Sequence, residues 1–141
     1  MTRYFDLHGT VLIVVGHGIL PEEEDRPIAY DLKREINTRG GGSEGRTAVV
    51  VTDVWLMNNE MGGFFPAIAI GGPGVNAFTA QIYEDLPVVY AREQRAFIQL
   101  GDAGKRTAVW GMDQPATREA ADVFVKEGLL ERVLDLVWRR A

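Results

Sequence analysis

Four short stretches carry the polar side chains able to do chemistry, and each follows a run of apolar, mostly β-branched residues. His17 stands between Gly16 and Gly18, behind residues 11–15. Asp53 follows residues 47–52. Gly71, Gly72, Pro73, Gly74 and Asn76 follow residues 67–70. Asp113 follows residues 106–110 by way of Gly111 and Met112. A histidine and two carboxylates in one cleft can exchange protons with a bound substrate. Glycine lets backbone approach a ligand closely and permits positive φ. Asn76 is a good helix N-cap, and a helix N-terminus there can hold an anion. The candidate ligand-binding set is therefore Gly16, His17, Gly18, Asp53, Gly71, Gly72, Gly74, Asn76 and Asp113, with catalytic roles within it left open.

Other site chemistries find less support. Gly72, Gly74 and Ala77 match the dinucleotide fingerprint G-x-G-x-x-G only in part, and Pro73 removes a backbone N–H from a phosphate nest. No P-loop sequence is present. His8 and His17 are the only histidines, with no H-E-x-x-H pattern, so no metal and no cofactor are expected. Ser43 is the only serine and lies in a glycine loop, which removes a nucleophile elbow. With no cysteine, disulfides, zinc–thiolate sites and cysteine nucleophiles are excluded. The glycine turn after residue 70 also has a purely structural use, since every α/β protein needs tight turns at strand ends.

The elements that would position these groups are readable from hydrophobic period. Residues 11–15 read as a strand buried on both faces. Residues 22–25, three glutamates and an aspartate, read as a solvated loop, with Asp25 as the cap of a helix that carries Pro27 in its first turn. Ile28, Leu32 and Ile36 form that helix's apolar stripe, and the glycines at 40–42 end it. A second strand at 47–52 runs on into residues 53–56, and a third spans 67–70. A helix capped by Asn76 ends near Pro87. Residues 88–90 and 96–100 form a short hairpin or bent edge strand, and 106–110 a final core strand. A helix starting at Asp113 or Gln114 has Ala120, Val123 and Phe124 on its inner face. Beyond Gly128, Leu130, Val133, Leu134, Val137 and Trp138 make a second helical stripe.

Strands alternating with helical connections imply one α/β domain over residues 1–141. The sheet is three-layered and mainly parallel with helices on both faces, flavodoxin-like or Rossmann-like, with a short antiparallel edge hairpin. If the core strands are parallel, the four polar stretches share one edge of the sheet, where ligands sit in open α/β folds. Strand order is not readable. A net charge of −5 disfavours nucleic acid and anionic membrane surfaces as partners. No apolar run approaches a membrane span, and the N-terminal residues lack the pattern of a signal peptide, so a cytoplasmic location is expected.

Residues 69–76, with Gly111, Asp113, Thr117 and Ala120 downstream, resemble the strand-GGP-x-x-N and G-x-D-x-x-x-T-x-x-A pattern of archaeal surface-layer repeat domains. That likeness covers the second half only and implies a shared α/β scaffold and no shared role. Residues 14–18 are similar to the V-G-H-G start of the small cobalt and iron chelatases, whose histidine helps bind metal. Here Ile19 stands in place of the following serine, and no second histidine lies downstream. The chain as a whole resembles small bacterial α/β proteins with no assigned function. The expectation is a domain that binds a small ligand or a protein partner at the C-terminal edge of its sheet. The alternatives are a small enzyme using His17, Asp53 and Asp113, or a structural interaction module. The stripe of Leu130, Val133, Leu134, Val137 and Trp138 suggests a homodimer through the C-terminal helix.

Overall fold

The apolar runs become the middle of a sheet. In a computed structural model, which describes residues 9–43, 45–101 and 103–138, β1 (Val11–Val15) pairs in parallel with β2 (Ala48–Thr52) on one side and β3 (Ala67–Ile70) on the other. β3 pairs in parallel with β6 (Arg106–Gly111). β5 (Ala96–Leu100) and β4 (Val88–Arg92) continue the sheet antiparallel, giving six strands in the order β2-β1-β3-β6-β5-β4. The molecule is thus α/β with a mostly parallel mixed sheet and an antiparallel edge.

The two faces of β1 feed two cores. Val11, Ile13 and Val15 join Ile28, Leu32 and Ile36 of α1 (Arg26–Arg39), Ala120 and Phe124 of α4 (Gln114–Lys126), and Leu130 and Val133 of α5 (Leu129–Val137). Leu12 and Val14 pack with Leu56 of α2 (Asp53–Met57) and Phe78 of α3 (Ala77–Ile82). Because strand side chains alternate in direction, a strand apolar at every position needs cover on both sides. Leu130, Val133 and Leu134 are buried within this single chain, and Val137 and Trp138 pack partly buried against the same core. The Trp138 indole N–H donates to the Gly9 carbonyl at 2.7 Å. Arg139 and Arg140 lie outside the described residues.

Two local expectations are corrected. Residues 53–56 do not prolong β2: the Thr52 hydroxyl accepts from the Trp55 N–H at 3.1 Å and starts α2. Residues 22–25 are not a loop. They belong to a π-helical turn, Pro21–Asp25, that runs directly into α1, and the Arg26 N–H donates to the Pro21 carbonyl. Asp25 makes no capping bond and is buried. The corrected helix carries its inner face back through Pro21 and Asp25, in step with Ile28, Leu32 and Ile36.

Asn76 joins β1 and β3 near their C-terminal ends. Its side-chain amide donates to the Val14 carbonyl and the Ile70 carbonyl, each at 2.9 Å. Its carbonyl accepts from the N–H groups of Phe78 and Thr79 at 2.9 and 3.2 Å, capping α3. Removing it takes a donor from two buried carbonyls and removes a helix cap. Asn76→Ala should lower unfolding free energy by about 3–5 kcal/mol in urea titrations. Asn76→Asp, which turns a carboxylate toward two carbonyls, should be at least as damaging at pH 7 and partly relieved at pH 4.

Candidate functional site

The parallel pairing of β1, β2, β3 and β6 puts their C-terminal turns on one edge of the sheet. The expected residues nevertheless separate into distinct groups. At the β1–β2 side, the His17 Nδ1–H donates to Asp53 Oδ1 at 2.8 Å. Asp53 is 1% exposed, and it also accepts from the Val54 N–H at 2.7 Å and, through Oδ2, from the Ala77 N–H at 2.8 Å. The carboxylate is therefore held by three donors, and it locks the histidine tautomer. With the proton on Nδ1, the exposed ring presents Nε2 as the acceptor.

Asp113 lies after β6, two strands from β1, roughly 10 Å away at the usual strand spacing. Its Oδ1 accepts from the Ala116 N–H at 2.9 Å, capping α4, and its Oδ2 is paired with Arg95. It does not join the His17–Asp53 pair. Asn76, with both amide protons and its oxygen engaged and 1% exposure, has no group left for a ligand. His8 lies outside the described residues. Among the described residues no three His, Asp or Glu side chains gather to hold a metal ion.

Between the π-turn, the β3 turn and the start of α4 lies a cavity of about 720 Å³. Gly72, Gly74 and Asp113 of the expected set line it. So do residues that sequence reasoning passed over, chiefly Glu24, Asp25, Tyr83, Trp110 and Thr117. Leu20, Val75 and Met112 are exposed apolar groups on its wall. Gln99 sets part of this wall. Its amide donates to the carbonyls of Tyr83 and Leu86 at 2.7 and 2.9 Å, while its oxygen accepts from the Trp110 indole at 2.7 Å. The Trp110 ring also stacks on Phe97 and meets Tyr83 edge-on.

Asp25 is the unusual member. It is 6% exposed, and no hydrogen-bond donor among the described residues reaches its carboxylate. Two glycines allow this packing. A Cβ on Gly71, whose φ is +107°, would stand 2.7 Å from Asp25 Oδ2. A Cβ on Gly16 would stand 1.9 Å from the Val75 carbonyl oxygen. Burial, aided by the charge of Glu24, pushes the Asp25 carboxyl up from 3.8 to about 6. A sequence signal for Asp25 existed: it stands three, four and seven residues before the buried Ile28, Ala29 and Leu32. It was masked by the neighbouring run of glutamates.

Comparison with known proteins adds no assignment: no protein-family model matches the chain, and no curated protein matches its sequence.

The raised carboxyl makes a pH prediction. Between pH 3.8 and about 6 the folded chain keeps a proton on Asp25 that the unfolded chain has released, so this group's contribution falls as pH rises through that window and is flat above it. Asp25→Asn should therefore stabilise the fold at pH 7.5 by about 1–2 kcal/mol, at ~1.4 kcal/mol per tenfold change in proton affinity less the relief from water at the cavity mouth. The gain should vanish below pH 4, as chemical denaturation across the pH range would show.

Proposed function

We propose that this chain is a small-ligand-binding α/β domain whose site is the cavity at the C-terminal edge of the sheet. One observation carries the reading: a buried carboxylate with no protein donor faces a cavity of about 720 Å³. With no protein donor among the described residues and some access to the cavity, the carboxylate is available to an occupant that donates to it. The volume lies in the range of small-molecule sites, and apolar walls with a few polar groups are their usual lining. The location supports the same reading. In a doubly wound, flavodoxin-like arrangement the strand order turns back between β1 and β3, and ligands bind outside the carboxyl ends of strands at such a point. A π-turn within a helix is a further mark of functional sites.

A second reading is favoured by a separate observation. The His17–Asp53 pair has the tautomer and the buried anchor of a general base, so proton transfer at the exposed Nε2 is the enzymatic alternative. Asp113 has no part in it, being held by its helix and Arg95.

The binding reading is tested by screening a fragment library against the isotopically labelled chain by amide NMR. Hits should shift Gly72, Gly74, Met112 and Thr117, and soaked crystals should hold them against Asp25. Hits confined to other surfaces would overturn the proposal. If His17→Ala abolishes a turnover found by substrate screening while hits still bind the cavity, the second reading stands alongside the first.

A further inference from the structure

We propose that the cavity takes an organic amine, with its ammonium, amidinium or guanidinium head on the Asp25 carboxylate and its apolar body against Leu20, Val75 and Trp110. This rests on the binding reading above and names the ligand class.

Three observations converge. First, Asp25 is more than nine-tenths buried, lines the cavity, and lacks a donor among the described residues. An ionised carboxylate is acceptor-only, so what satisfies it must donate, and a cation does so most strongly. Second, among the described residues the lining carries two further carboxylates, Glu24 and Asp113, and no Lys, Arg or His. Arg95 offsets Asp113 from outside that lining. An anionic ligand would meet like charge at close range, which disfavours it.

Third, the N-terminus of α4, which borders the cavity, is already engaged. At the start of α4, Pro115 has no N–H, the Ala116 N–H bonds to Asp113 Oδ1 at 2.9 Å, and the Thr117 N–H bonds to the Asp113 carbonyl at 3.0 Å. Two of the α4 N–H groups that would seat a phosphate or carboxylate are thus engaged. The remaining wall is apolar and aromatic, suited to a hydrocarbon or ring attached to the charged head.

The test uses the full chain and three probes of one shape: 2-phenylethylamine, 2-phenylethanol and phenylacetate. Calorimetry at pH 7.5, with amide NMR to locate each probe, reads the preference. The amine should bind at least tenfold more tightly than the alcohol, and phenylacetate weakest. Asp25→Asn should erase the preference, and Glu24→Gln should keep most of it. Lowering the pH from 7.5 to 5 should narrow it in the native chain, because Asp25 gains a proton there. Glu24, Asp113 and Tyr83 are the other titratable lining groups, so the Glu24→Gln and Asp113→Asn chains are carried through the same pH series and should retain the narrowing. Should Asp25→Asn fail to fold, the pH series on the native chain decides the same question.

Alcohol or phenylacetate binding in the cavity as tightly as the amine would overturn the amine class while leaving the binding reading intact. So would an amine preference unchanged in Asp25→Asn. If no probe shifts the cavity amides but the fragment screen finds another occupant there, the class again falls alone. If nothing in either experiment reaches the cavity, both fall.

Discussion

The carboxamide of Asn76 is the constraint on which the site edge depends. It holds the Val14 carbonyl of β1 and the Ile70 carbonyl of β3 side by side and begins α3 with the same group. Without it two buried carbonyls near the end of the sheet would each lose a donor, at a cost comparable to a lost buried hydrogen bond. No other neutral side chain of this length supplies two donors and two acceptor positions in a single plane. With β1 and β3 pinned, the β3 turn is drawn against the β1 turn so closely that only glycine fits at Gly16 beneath the Val75 carbonyl. The Thr79 hydroxyl donates to the Gly71 carbonyl at 2.7 Å and holds the far side of the same turn.

That tight edge explains how a carboxylate comes to be buried without a partner. The π-turn carries Asp25 onto the inner face of the helix, and Gly71 leaves room for its oxygen. The surrounding packing sets the position; the charge itself gains nothing from it. Such a group costs stability at neutral pH, and natural chains keep such costs where function uses them. The contrast with Asp53 is instructive. Both aspartates are buried at the same edge, yet Asp53 has three donors and ties α2, α3 and His17 together, while Asp25 faces open volume. Similar burial therefore yields a structural anchor in one case and a carboxylate open to the cavity in the other.

The antiparallel edge contributes in a different way. Gln99 on β5 uses its whole amide to hold Trp110 and the backbone at Tyr83 and Leu86. This fixes one aromatic wall of the cavity on rigid elements, while the opposite wall comes from the π-turn. The cavity is thus framed by segments spread across most of the chain, from Leu20 to Thr117.

Much of this was legible in the order of residues alone. Continuous apolar runs announce β1, β3 and β6 because strands covered on both faces need no polar positions. The stripe at Ile28, Leu32 and Ile36 announces α1, and the cap at Asn76 announces α3. From alternating strands and crossovers the shared edge follows, and with it the neighbourhood of His17, Asp53, Gly72 and Asp113. These are local properties: period, cap and turn are set by residues a few positions apart. Strand order was not legible, since strands that are apolar throughout carry no mark of which neighbour they prefer. Nor was the pairing of His17 with Asp53, 36 residues on, or the burial of Asp25 beneath Gly71. A side chain's partners and its solvation are decided by whatever the fold brings beside it. Only the tertiary structure could therefore turn one acid of a charged run into the wall of a cavity, and one capping asparagine into the joint between two strands.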